Sequence, residues 1–176
     1  MLTRLACLLL STVLLNQISY ANVGIEFDAP VAQGGTIYSF PINESSLSFS
    51  CKFDVYEYRR DGQWGPALTL HYTNDEKEES IALQHSKTAD GFLVFNTIYR
   101  VNRENILDEP VLTLKSDSNS LELSMTWQNG IMFFNMSDTE GQTSKYFLIA
   151  PEFKPTETIL TASGIKGAFS CDNTDH

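Results

Sequence analysis

Few residues in this 176-residue chain have types and spacing that could do chemistry. Three histidines occur, His71, His85 and His176, and the last sits in a polar tail. His71 and His85 fall on different predicted strands, where they could meet across a sheet and share a metal through imidazole nitrogens. Lone strand histidines are more commonly surface or hydrogen-bonded residues, so no metal is expected. Cys51 and Cys171 stand outside any CxxC spacing, which removes zinc and thioredoxin-like chemistry. The chain has no GxSxG, no HExxH, no phosphate-binding glycine loop and no GxGxxG. Gly34-Gly35 reads as a turn. Glycoside hydrolysis needs two carboxylates about 5–9.5 Å apart, and 22 acids without a partner motif single out no pair. No catalytic residue and no cofactor are expected. Aromatic residues suit binding better. Trp64, in the turn between Arg60 and Pro66, and Tyr56 and Tyr58 before it could form an exposed platform for the C–H faces of a sugar ring. Alternation along the strand puts Tyr56 and Tyr58 on one face, opposite Phe53 and Val55.

Those residues must be carried by some framework, and composition bounds it. The chain is 42% apolar and 11% aromatic, with 22 acids against 12 bases and a formal charge of −10. Its length suits one domain with a real core. The acidic balance excludes nucleic acid and anionic membrane surfaces, both of which require clustered cations. Residues 1–21 read as a secretory signal peptide: Arg4 supplies the positive region, Leu5 to Leu15 the apolar run, and Ser19-Tyr20-Ala21 the small residues at the cleavage site. The run is too short to span a bilayer. Loss of Arg4 takes the charge from −10 to −11. In an oxidising destination Cys51 and Cys171 are expected to pair, tying an early strand to the last one. The domain is expected over residues 22–170, with 171–176 as a C-terminal tail.

Period-two alternation dominates the rest. In Ser46 to Tyr58, Leu47, Phe49, Cys51, Phe53 and Val55 face one way and Ser48, Ser50, Lys52 and Asp54 the other. Asp61-Gly62 turns that strand and Ala67 to Thr73 returns. Further strands are predicted at Ser80 to His85, Phe92 to Val101, Val111 to Lys115, Ser144 to Ala150 and Ile159 to Cys171. Leu121 to Gln128 and Ile131 to Met136 form a hairpin whose Asn129-Gly130 suits a type I′ turn. Arg103 to Asp108 could form one helical turn at most. About ten strands at this spacing mean an all-β antiparallel sandwich or jelly roll.

Two fragments resemble the legume-type, concanavalin-like lectin sandwich. Val23-Gly24-Ile25-Glu26-Phe27-Asp28 is similar to the strand that supplies those lectins with a metal-binding Glu and Asp. Ala89-Asp90-Gly91-Phe92-Leu93-Val94-Phe95 is similar to their loop whose Asp accepts hydrogen bonds from sugar hydroxyls. The resemblance implies Glu26 and Asp28 as metal ligands and Asp90 as a sugar contact. The family's further Asp and His have no counterpart in Gly34 to Asn43, so a metal-free version is expected. Jelly-roll polysaccharide lyases resemble the chain at Gln84-His85 and Lys145-Tyr146-Phe147, with Arg59 or Arg60 as a cation for a uronate. Adjacent strand residues point to opposite faces, so Gln84 and His85 cannot share that site.

The reading is an exported, non-catalytic β-sandwich that binds a ligand, carbohydrate ahead of protein, through Trp64, Asp90, Tyr56 and Tyr58. An extracytoplasmic protein-interaction or inhibitor module is the alternative from another class, and a small lyase or hydrolase the third. The partner is a glycan or an extracytoplasmic protein, with no membrane insertion after signal cleavage. Asn43-Glu44-Ser45 and Asn135-Met136-Ser137 fit the N-glycosylation sequon.

Overall fold

The computed structural model describes residues 24–30, 34–42, 46–60, 65–74, 78–115, 118–138, 141, 143–150 and 152–174. Residues 1–21, expected as a signal peptide, and Trp64 and Asn43 lie outside them.

Among the described residues there is no helix, and twelve strands form two six-stranded antiparallel sheets. They are β1 (Ile25–Asp28), β2 (Gly35–Pro41), β3 (Ser46–Tyr58), β4 (Ala67–Thr73), β5 (Ser80–Lys87), β6 (Phe92–Val101), β7 (Glu104–Lys115), β8 (Ser120–Gln128), β9 (Ile131–Asp138), β10 (Thr143–Ile149), β11 (Glu157–Ser163) and β12 (Ile165–Thr174). The first sheet runs β1-β12-β3-β8-β9-β10 and the second β2-β11-β4-β5-β6-β7. The chain is an all-β sandwich of jelly-roll type.

Alternation explains the core. Phe49, Cys51, Phe53 and Val55 of β3 face inward beside Leu121, Leu123 and Met125 of β8 and Met132, Phe134 and Met136 of β9. They meet Leu68, Leu70 and Tyr72 of β4, Ile81 and Leu83 of β5, and Leu93 and Phe95 of β6. Each fully buried large apolar side chain contributes about 1.5–3 kcal/mol relative to exposure. The Tyr72 hydroxyl donates to the Met125 carbonyl at 3.1 Å, so its polar end is satisfied between the sheets.

Cys51 and Cys171 form the expected disulfide. They stand directly opposite one another where β3 pairs with β12, which makes the bridge a cross-strand tie inside one sheet. β12 then continues to Thr174, beyond the strand end expected at Cys171.

Three sequence expectations about elements are corrected. Ile159 to Cys171 is two strands, because Gly164 at φ +60 turns the chain from the second sheet to the first. A Cβ there would stand 2.8 Å from the Arg59 carbonyl, so only glycine fits. Arg103 to Asp108 is no helical turn but the start of β7. Asn102 and Arg103, both at positive φ, form a two-residue turn that returns the chain along β6. Finally, β4 does not return alongside β3: the chain crosses between them to the other sheet. The β8–β9 hairpin is as expected, with Asn129 at φ +51 and Gly130 at φ +77.

Candidate functional site

The outward residues of β4, β5, β6 and β7 come together by register. Thr69 and His71 of β4 lie opposite Gln84 and Ala82 of β5, and Ala82 lies opposite Ile98 of β6. Arg100 of β6 lies opposite Asn105 of β7, and Thr161 of β11 opposite Thr69. The result is a groove across the outer face of the second sheet. It has two lobes of about 670 and about 530 Å³, which share His71, Arg100, Asn105 and Thr161. Both volumes fall in the range of small-molecule sites.

The groove's side chains are held by one another. Arg100 donates from Nε to Asn105 Oδ1 at 2.7 Å, and Asn105 Nδ2 donates to Asp108 Oδ2 at 3.1 Å. His71 Nε2 and Thr161 Oγ1 are hydrogen-bonded at 3.1 Å, and Gln84 Nε2 donates to Thr69 Oγ1 at 3.3 Å. Burial, with the Arg100 charge nearby, lowers the His71 pKa to about 4, so the imidazole is neutral at pH 7. The described lining offers guanidinium, ammonium and carboxylate groups, a neutral imidazole, amides and hydroxyls. Such groups can both donate hydrogen bonds to hydroxyls and accept them.

At one end of the groove lie Gly65 and Pro66, the residues directly after Trp64, together with Thr88 of the β5–β6 turn. The Arg60 guanidinium ties these segments: Nη2 donates to the Thr88 carbonyl at 2.5 Å and Nη1 to the Ala89 carbonyl at 3.3 Å. Asp90 is exposed on that same turn, which Gly91 closes at φ +82. No Phe, Tyr or Trp among the described residues lines the groove.

Tyr56 and Tyr58 do not share a face. A register shift in the β3–β12 pairing places Tyr56 and Glu57 against Lys166 alone, and the extra residue turns Tyr58 inward. Tyr56 stays exposed on the outer face of the first sheet, beside a small groove with Glu26, Asp28 and Lys166. Tyr58 reaches between the sheets, where its hydroxyl hydrogen-bonds His85 Nε2 at 3.1 Å, and burial raises its pKa. His85 is fully buried with Nδ1 unpartnered, and burial followed by the Lys87 charge lowers its pKa to about 3.

His71 and His85 therefore occupy opposite faces of one sheet and cannot share a metal. The same parity separates Gln84, in the groove, from His85, in the core. Asp28 is committed to Arg59, whose Nη1 donates to it at 2.5 Å, and this hydrogen bond holds the carboxyl below its usual range. Arg59 also binds Glu57 at 2.8 Å. Among the described residues no cluster of three metal-ligating side chains exists. Arg100, Asn105, Asp108 and Thr161 were not singled out by sequence, because outward polar residues look alike until a fold lines them up.

No family model matches the chain, and no curated protein does. Solved structures resemble it over most of its length. The CBM2 module of the Lactobacillus casei BL23 phage J-1 evolved Dit is 11% identical, over 85% of this chain and 84% of that one, with a TM-score of 0.52. A functionally unknown protein from Saccharomyces cerevisiae is 12% identical over 87% of both chains, with a TM-score of 0.55. Galectin-Ib of Xenopus laevis is 12% identical over 80% of this chain and all of that one, with a TM-score of 0.50. At these identities the likeness is one of fold: this chain shares the jelly-roll-like sandwich of a CBM2 module and a galectin.

Proposed function

We propose that this is an exported, non-catalytic carbohydrate-binding domain whose ligand lies along the groove on the second sheet. The observation that carries the reading is the ordered polar row of His71, Arg100, Asn105 and Asp108 on a groove of ligand size. Neutral imidazole, guanidinium, amide and carboxylate together match the mixed donors and acceptors of sugar hydroxyls. The fold shared with a CBM2 module and galectins supports the same reading.

Trp64 supplies the stacking ring in this proposal, since the chain enters the groove's rim one residue after it. Asp90, on the turn that Arg60 ties to that rim, adds an acceptor. Tyr56 and Tyr58 are dropped as sugar contacts, because one faces away from the groove and the other faces the core. Residues 1–21 direct export and are removed.

The test is a glycan array probed with the purified oxidised protein, with calcium and with a chelator. A hit that survives chelation, and is lost in Arg100→Ala and in Trp64→Ala, is expected. Silence across the array, or a hit indifferent to Arg100→Ala, overturns the assignment.

A further inference from the structure

Each sheet of an open sandwich ends in two edge strands, and an unprotected edge invites another strand to pair with it. Among the described residues, three of the four edges are blunted. β1 has only four residues. β2 ends in Pro41 and its pairing with β11 shifts register. β7 carries Glu104, Asp108, Glu109 and Pro110, with two register shifts against β6. β10 is different. Its seven residues pair with β9 without a shift, and Lys145 is its single charge.

From Tyr146 to Ile149 both faces of β10 are apolar and incompletely covered. Outward, Phe147 is 61% and Ile149 65% exposed, next to Phe133 at 45% on β9. Inward, Tyr146 and Leu148 pack against the core but remain only partly buried. Charge points the same way. Two copies of a chain with net charge −10 repel through most of their surfaces, yet β10 carries no acid.

We propose that β10 pairs antiparallel with β10 of a second copy across a two-fold axis, joining the two first sheets into one. The register that suits the sequence places Phe147 opposite the second copy's Phe147. Tyr146 then faces the second copy's Leu148 on the inner side, and Lys145 the second copy's Ile149 on the outer side. No like charges oppose one another, and the stem of Lys145 covers Ile149. A two-fold contact is self-complementary, so one strand serves as both halves of the interface. A seven-residue edge covers less than the roughly 800 Å² per partner of a standard interface, which sets a dimer dissociating at micromolar concentration or above.

The test is sedimentation velocity of the purified protein from about 1 µM to about 1 mM, a range that brackets such an affinity. A monomer–dimer equilibrium is expected. Phe147→Lys, which sets two lysines against each other at the axis, leaves only monomer with unchanged melting. Ile106→Lys, at a side chain equally exposed on β7, leaves the dimer intact. Monomer throughout this range for the unaltered protein overturns the proposal, as does a dimer that survives Phe147→Lys. Binding of neutral phosphatidylcholine vesicles by a protein that stays monomeric, lost in Phe147→Lys, would also overturn it.

Discussion

Arg100 is anchored through Nε by Asn105, and its two Nη groups have no hydrogen-bond partner among the described residues. Asn105 is itself held by Asp108, so the guanidinium is preorganised rather than ordered at the ligand's cost. Asn105→Ala therefore weakens the glycan found on the array by about tenfold, the worth of one hydrogen bond to a charged group. Asn105→Asp does not restore the affinity: a carboxylate can accept from Arg100 Nε but cannot donate to Asp108, and it sets two carboxylates against each other; titration calorimetry of both variants checks this. The buried histidines give a second outcome. His71 and His85 have pKa values lowered to about 4 and about 3, against about 6.5 in the unfolded chain. The unfolded state therefore binds more protons below pH 6.5, and stability falls as pH drops from there toward pH 4. Urea midpoints between pH 7 and pH 4 read this loss, and His85→Gln flattens it. Above pH 5, where His71 stays neutral, glycan affinity is expected to be flat.

Elements turned on local signals that varied in strength. β3, β4 and β6 have the bounds that alternation predicted, because each pairs apolar positions at period two with a clear turn signal at one end. β7 was only half legible. Its turn is Asn102-Arg103, which lacks the glycine that announces a two-residue hairpin, and Ile106-Leu107 among polar residues carries no alternation of its own. Pairing with β6 makes it a strand. The inward swing of Tyr58 was equally hidden, since a bulge is a property of two strands and shows only when Lys166 is set against Glu57. Gly164 is the hinge of the whole β11–β12 connection, receiving Arg59 N–H at 2.8 Å on its carbonyl. Gly164→Ala is expected to cost 2 kcal/mol or more, roughly, from positive φ plus the clash with Arg59. A shift in denaturant midpoint with unchanged m-value measures it; a loss below about 0.5 kcal/mol, the size of an ordinary surface change, contradicts the role given to this turn.

At the scale of the molecule, the Cys51–Cys171 bridge closes a loop with a sequence separation of 120. In the chain-entropy model such a loop is worth about 4–5 kcal/mol. Cys51→Ala with Cys171→Ala should lower unfolding free energy by about that much, read by denaturation under non-reducing conditions. The sandwich and the bridge were legible because apolar alternation and cysteine arithmetic are written along the chain. The groove was not. His71, Gln84, Arg100, Asn105 and Thr161 are scattered over 90 positions of sequence, and only strand order brings them to one face. Aromatics drew attention to Tyr56 and Tyr58 because a ring stands out in sequence, whereas a polar residue on an outward position does not. The most direct test of the groove is amide chemical-shift mapping of the isotope-labelled protein titrated with the glycan that the array selects. Perturbations confined to β4, β5, β6, β7 and the turn at Asp90 are the expected result. Shifts centred instead on β9 and β10, or on the Tyr56 face of the first sheet, would contradict the account.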